Sequence, residues 1–317
     1  IQATNLMKSP AKIYNHFFIY VLSLLTSTAC GEHQPLAIWN AVHVSGANQS
    51  GDAHLLEISD GTIILIDTGF RKYAEKELIP FLKLRDIGRI DHMVVTHAHR
   101  NHYGGVMSLL EAGVELGNVY FNLPPVDACA KEKWSTGCRY QHVLETRKLI
   151  TARGIPIHKL ERGLEIYDDQ ARQVNLSVLY AFDGNQSPPG KVGVNDASAV
   201  LKFSAGEQSV LFTGDIGNKT GKFLARNGEM LESSIMTAPH HGVESMAPNS
   251  FFDRVSPQVI VASVSKPPLL SDRGKRLREY VKENDIDLYV TGIHGRVEVS
   301  FDSMQYHLQT ENTARTN

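Results

Sequence analysis

Residues 95–105 read Val95-Thr96-His97-Ala98-His99-Arg100-Asn101-His102-Tyr103-Gly104-Gly105, directly after the largely apolar run that begins at Ile90. Apolar residues bounded by a polar, glycine-closed segment read as a strand that ends in a loop. Side chains two apart on extended backbone project to the same side, so His97 and His99 can hold one metal ion together. His102, beyond a reversal of the loop, can hold a second. Three imidazoles this close together are poor material for a hydrophobic core and good material for a metal site. Two later segments repeat the pattern of apolar strand followed by polar turn. Phe212-Thr213-Gly214-Asp215 ends on a carboxylate after a glycine, and Pro239-His240-His241-Gly242 pairs two imidazoles. Each is ambiguous alone. Together they supply the imidazole and carboxylate donors that a shared cleft at the ends of several strands would collect.

Working outward, AIWNAVHV, AHLLEISDG and TIILIDTGF read as consecutive strands, with Ser59-Asp60-Gly61 as a hairpin turn. TIILID is continuously apolar, the mark of a strand covered on both faces. A helical stretch follows over 71–88, and helices are expected near 106–113, 141–154, 219–228, 251–255 and 271–284. Further strands are expected in NVYFN, IPIHKL, VNLSVLYAF, SSIMTA, QVIVASV, IDLYVTG and RVEVSFD, with a hairpin around Ala205-Gly206. Strands run together, alternate with helices, and then repeat that order. Two packed mixed sheets with helices on their outer faces give this pattern. No linker divides the chain and no repeat period recurs, so one large domain is expected over 30–309, with a polar tail at 310–317.

The order strand-DTG, histidine loop, TGD and HHG resembles the metallo-β-lactamase fold superfamily. More narrowly it is similar to the hydrolase domain of ComEC-type DNA-uptake proteins and to secreted relatives such as phosphorylcholine esterase. SGANQSGDAHLLEI resembles the family's opening hairpin, VNDASAVLKFSAGEQSVLFTGDIG its Asn-x-x-Ser and TGD segment, and MTAPHHGVES its HHG segment. The likeness runs over residues 37–302. It implies an α/β fold, a four-layer αββα sandwich of two mixed sheets with outer helices, and a hydrolytic site for one or two zinc ions, with manganese as the other option. His97 and His99 match first-metal ligands, His102 a second-metal ligand, and Asp215 the carboxylate bridging both ions. One of His240 and His241 matches the last ligand, and the other would lie near the substrate. Asp67 matches a carboxylate that orients the histidine loop.

Two departures from that pattern carry chemistry. Asn101 stands where the family has Asp, and a neutral amide oxygen is a weaker ligand than a carboxylate. Asn101, Asp215, His240 and His241 are the residues expected around the reacting group. The histidine often found between the loop and Asp215 is missing from VLYAFDG; Asp183 or Asp196 is the candidate stand-in, and His158 reads as a core or surface residue. The resemblance implies a metal-bound hydroxide acting on a phosphodiester or related phosphate ester, small-molecule or nucleic acid. The alternatives are a lactone, lactam or thioester hydrolase on the same fold, or a non-catalytic envelope protein with a degenerate metal site.

Residues 1–29 read as a secretory signal peptide with an upstream extension before Met7. Lys8 and Lys12 precede a short apolar run, and small residues lead to Cys30. Ser27 and Ala29 suit ordinary cleavage. A Cys at the first mature position also resembles a bacterial lipoprotein signal, which would anchor the chain by a lipid on Cys30. Either way the expected place is the periplasm or cell envelope. In such a compartment Cys129 and Cys138 can bridge, worth on the order of 2–3 kcal/mol for a loop this short. The 32 basic residues against 34 acidic ones give a formal net charge of −2, so no global basic field draws nucleic acid to the surface. The turn-rich segment from Asp183 to Asn195 is a candidate lid.

Overall fold

The computed structural model describes residues 34–312 except 135–136, 183–187, 189–190 and 228–229. The expected leader at 1–29, Cys30, Asp183 and most of the candidate lid lie outside the described residues. The chain first builds one sheet from β1 (Ala37–Ala41), β2 (His54–Ile58), β3 (Ile63–Ile66), β4 (Arg89–Val95), β5 (Glu115–Phe121) and β6 (Ile157–His158). It then builds a second from β7 (Glu165–Asp169), β8 (Val174–Tyr180), β9 (Val200–Ala205), β10 (Gln208–Phe212), β11 (Ile235–Thr237), β12 (Val259–Ser265) and β13 (Asp287–Val290). Finally β14 (Val297–Phe301) and β15 (Tyr306–Thr310) return to the first sheet. The orders are β15-β14-β1-β2-β3-β4-β5-β6 and β13-β12-β11-β10-β9-β8-β7. Both sheets are mixed: β3 to β6 pair in parallel and the rest of the first sheet antiparallel, while β10 to β13 pair in parallel and β7 to β10 antiparallel.

The layering follows from the two-residue period of a strand. On β2, Leu56 faces the space between the sheets while Leu55 faces the outer helices. Ile64 and Ile66 point inward around an outward Leu65, which is why TIILID is apolar throughout. The second sheet repeats this, with Phe212 and Val261 inward and Leu211 and Ile260 outward. Trp39, fully buried on β1, packs edge-on against Phe212 of β10 with ring centroids 5.4 Å apart. The outer face of the first sheet is covered by the helical stretch 71–84 and by helices Val106–Glu111 and Tyr140–Thr151, and that of the second by Asn218–Asn227, Asn249–Val255 and Lys275–Glu283. This is the expected αββα sandwich.

Several elements depart from the sequence reading. β7, β15 and the helices Val126–Lys131, Lys266–Leu270 and Thr291–His294 have no counterpart in it, and β15 carries the last sheet one residue into the stretch assigned to a tail, with Thr310 opposite Val297. No helix among the described residues is long and apolar enough to cross a membrane.

Candidate metal centre

The loops that matter leave neighbouring strand ends of both sheets. Asp52 precedes β2, Asp67 follows β3 and the histidine loop follows β4. Across the gap, Asp215 follows β10 and the His240-His241 pair follows β11. The turn after β3 fixes the histidine loop. Asp67 is buried at φ 60°, a left-handed conformation uncommon for a residue with a side chain. Its Oδ1 accepts the Thr96 amide at 2.8 Å and its Oδ2 the Thr96 hydroxyl at 2.7 Å. The same Oδ2 lies 2.7 Å from His102 Nδ1. Thr68 donates its hydroxyl and amide to the His102 carbonyl. Asp67 thus ties the histidine loop down at Thr96 and His102.

Asp215 is set from the other sheet. Its amide donates to Ser198 Oγ at 3.0 Å, giving the Asn195-x-x-Ser198 segment a physical role. Gly214, at φ 49°, lies so close to the Ser198 and Thr96 side chains that a Cβ would meet them at 2.9 and 3.2 Å. Only glycine suits that approach. The His240 amide donates to the Gly214 carbonyl at 3.1 Å, and both His240 and His241 adopt positive φ, 49° and 59°.

The side chains converge in two groups. His97, His99 and Asp215 offer ligand atoms within 4.8 Å of one another, and so do Asp52, His102, Asp215 and His241. In the first, His97 Nε2 faces His99 Nδ1 at 3.1 Å and Asp215 Oδ2 at 3.6 Å. In the second, Asp215 approaches His102 Nε2 at 3.3 Å through Oδ2 and His241 Nε2 at 3.5 Å through Oδ1. All these residues are buried.

A divalent cation fits this arrangement. His102 Nε2, Asp215 Oδ1 and His241 Nδ1 are buried without a hydrogen-bond partner, and such atoms are costly unless something satisfies them. The tautomers also suit it. With the Nδ1–H of His102 donated to Asp67, the Nε2 lone pair faces Asp215; with the Nε2–H of His99 donated to Glu132 Oε2 at 2.7 Å, the Nδ1 lone pair faces His97.

The electrostatics are those of a charged interior. Burial and the neighbouring His102 imidazole push His97 well below its ordinary value, keeping it neutral as a ligand must be. Burial would lower His102 too, but Asp215 and Asp67 outweigh it and hold the ring well above the usual histidine range. His241 is raised in the same way, against burial, by Asp215 and Asp52. Asp215 and Asp52 are held well below the carboxylate range: burial opposes this, and His241 with the other nearby imidazoles prevails.

The two histidines of the HHG segment separate here. His241 is buried in the second group, whereas His240 is partly exposed, its Nε2 4.0 Å from Asp215 Oδ2 and its Nδ1 2.5 Å from the Glu244 carbonyl. Asn101 Nδ2 stands 2.9 Å from His241 Nε2, so the residue is at the centre with its amide nitrogen turned toward the imidazole. Asp196 does not stand in for the missing histidine. Its Oδ1 accepts the Gly217 and Thr220 amides at 3.0 and 2.9 Å, at the start of helix Asn218–Asn227. His158 is exposed and bonded to Asn118.

Two carboxylates at the centre were not singled out in the sequence. Asp52 lies 3.4 Å from His241 Nδ1 through Oδ1 and 3.8 Å from His102 Nδ1 through Oδ2. Its one signal is its place after Gly51, immediately before an apolar strand. Glu132, between Lys131 and Lys133, carries no signal at all. Its loop is closed by the Cys129–Cys138 disulfide. In front of the centre opens a cleft of about 770 Å³ whose walls include Phe70, Trp134, Lys219, His240, Glu244 and Arg273.

Comparison with known proteins agrees with the fold. The family described as "Metallo-beta-lactamase superfamily" matches residues 48–115. The chain is 22% identical over 240 residues to "Competence protein ComA" of Neisseria gonorrhoeae, covering 74% of this chain and 29% of that protein. It is 20% identical over 291 residues to "ComE operon protein 3" of Bacillus subtilis, covering 90% of this chain and 34% of that protein. The chain thus spans about a third of the length of these curated relatives. Among solved structures it is similar to CmlA, a diiron beta-hydroxylase from Streptomyces venezuelae, with TM-score 0.51 and 11% identity over 84% of this chain and 54% of that one.

Proposed function

We propose that this chain, a protein of the metallo-β-lactamase fold, is an exported metal-dependent hydrolase of phosphodiesters or related phosphate esters, nucleic acid among them. The observation that carries the reading is the sharing of Asp215 by two adjoining groups of buried imidazoles and carboxylates at the mouth of one cleft. Paired sites of this kind suit in-line displacement at phosphorus, where both the attacking and the leaving oxygen need stabilising. His97, His99 and Asp215 would hold one ion, and His102, Asp215, His241 and Asp52 a second. Zinc is the expected metal, with manganese as the other option.

A bound divalent cation supplies a Lewis acid and a water acidic enough to ionise near neutral pH. The chain's own groups do the rest. Asp67 and Glu132 fix the tautomers of His102 and His99, so that the free lone pairs face inward. Asp215 stays ionised because imidazoles surround it. His240 commits Nδ1–H to the Glu244 carbonyl, which leaves Nε2 facing the centre from the cleft wall. When protonated there, it can donate to the developing charge or to the leaving oxygen. Lys219 brings positive charge to the same wall, and local charge serves an anionic substrate even in a chain of net charge −2.

Export is supported by the leader-like composition of residues 1–29 and by the disulfide, a bond that persists in oxidising compartments. A lipid on Cys30 would be the envelope anchor. The test is metal analysis of the purified chain followed by assay of the loaded protein on bis-p-nitrophenyl phosphate, single-stranded DNA, phosphorylcholine esters and a chromogenic cephalosporin. Turnover of the phosphate esters is expected. Turnover of the cephalosporin alone would move the substrate to lactams, and metal content near zero after reconstitution would remove the enzyme reading.

A further inference from the structure

We propose that Glu132 is a positioning residue for His99, and that the Cys129–Cys138 disulfide is what holds Glu132 in place. This rests on the reading above, in which His99 meets a metal through Nδ1. His102 has its outer nitrogen held by Asp67, a carboxylate built into the turn that leaves β3. His99 has no such partner from the sheet. Its Nε2 instead reaches Glu132 Oε2 at 2.7 Å, 33 positions along the chain, in a loop after helix Val126–Lys131. Both side chains are nearly buried, at 9% and 11% exposure, so the contact is not an ordinary surface pair.

Glu132 is gripped between the two half-cystines. Its amide donates to the Cys129 carbonyl at 3.2 Å, and its Oε2 accepts the Cys138 amide at 2.7 Å. The disulfide sets Cys129 and Cys138 with Cα atoms 5.0 Å apart, which fixes both anchors at once. The returning chain passes so close that a Cβ on Gly137 would lie 2.9 Å from Glu132 Cβ. One carboxylate oxygen thus joins the covalent staple to the outer nitrogen of His99. The disulfide orients an imidazole that neither cysteine touches, and with it the lone pair opposite His97.

The experiment measures zinc affinity of the full chain by competition with a chromophoric chelator, together with the cobalt(II) absorption spectrum. Glu132→Ala is expected to weaken binding by about 10- to 100-fold, the usual scale for an outer partner of a metal-bound histidine, and to change the cobalt spectrum. Glu132→Gln, which keeps an accepting oxygen, should lose less. Cys129→Ser with Cys138→Ser should weaken binding in the same direction, and in the Glu132→Ala background the serine pair should change affinity no further. Thermal melts in excess chelator report folding separately from loading. Unchanged affinity in Glu132→Ala overturns the proposal. So does a serine pair that weakens binding by the same factor whether or not Glu132 is present. Should the serine pair fail to fold, reduction of the disulfide in the folded wild-type and Glu132→Ala chains takes its place, and affinity unchanged by reduction of the wild-type chain overturns the role given to the disulfide. A wild-type chain that binds no metal overturns the metal centre itself, and this inference with it.

Discussion

The two halves of the centre are held by different parts of the fold. Around His102 and His241 the adjoining carboxylates, Asp67 and Asp52, stand just after β3 and just before β2, buried where the sheets meet. Around His99 the support comes from Glu132, on a surface loop closed by a disulfide. One half inherits its geometry from the backbone of the sandwich, the other from a local cross-link. The first should tolerate changes in surrounding loops and resist little that disturbs the sheets; the second should behave in the opposite way.

Asp215 belongs to both halves, so its replacement should erase the distinction. Asp215→Asn is expected to abolish stable metal loading and lower kcat/KM by about 10³-fold or more, the equivalent of several kcal/mol of lost transition-state stabilisation. Metal analysis and steady-state kinetics check it, and retained loading of one full ion would show that the halves do not depend on a shared carboxylate. Asp67→Asn should weaken metal affinity by about 10- to 100-fold, most strongly through His102, whose outer nitrogen it holds, and less through Thr96 beside His97. A cobalt(II) titration should show the His102 class of site weakened more than the other.

Acidity offers a third way to separate the halves. In the metal-free protein Asp215, with Asp67 and Asp52, raises His102 and His241 above the ordinary histidine value of 6.5, so protons bind there more readily and compete with a cation. Affinity of their half should fall by about tenfold per pH unit for each proton displaced as the medium is acidified below those raised values. Calorimetry in buffers of different ionisation enthalpy counts the protons. The linked effect on stability has a definite sign. The His102 and His241 contribution is fully present below 6.5 and fades as pH rises through the raised values. That of Asp52 and Asp215, whose pKa values are lowered from 3.8, is present above 3.8 and is lost as pH falls through the lowered values. His97, lowered from 6.5, opposes the first pair by resisting acidification. Metal-free melts across pH 3 to 9 read the balance.

A smaller effect is expected at Gly214, where alanine would have to adopt φ 49° against Ser198 and Thr96. Gly214→Ala should cost about 1–2 kcal/mol in urea unfolding and shift Asp215 for both halves alike. The smallest is Asn101→Asp, which should raise occupancy of the His241 half by a few-fold with the His99 half unchanged; equal metal content in both proteins would place the residue outside the coordination sphere.

The legible part of this molecule was the part built by strand periodicity. His97, His99, His102 and Asp215 stand directly after apolar runs, so their loops are placed by the same pattern that places the sheets. What escaped lies where periodicity is silent. β7 and β15 are edge strands at the borders of the two sheets, with the polar sequences EIYDD and YHLQT. Edges carry polar side chains because one side faces water and an apolar edge invites pairing with other chains. Asp52 and Glu132 are single carboxylates whose importance comes only from what packs against them. His241 could not be told from His240 in sequence, because only the turn at positive φ decides which ring enters the interior.

The donors of the centre come partly from the rim of one sheet and partly from the rim of the other. A cation lodged among them is consequently a rivet across the sandwich, and loading and folding become one linked equilibrium. At a free metal concentration a hundred times the dissociation constant, the native state would gain about 2.7 kcal/mol. A cell starved of the ion would then carry a less durable population, one that proteases clear before any loss of turnover is noticed.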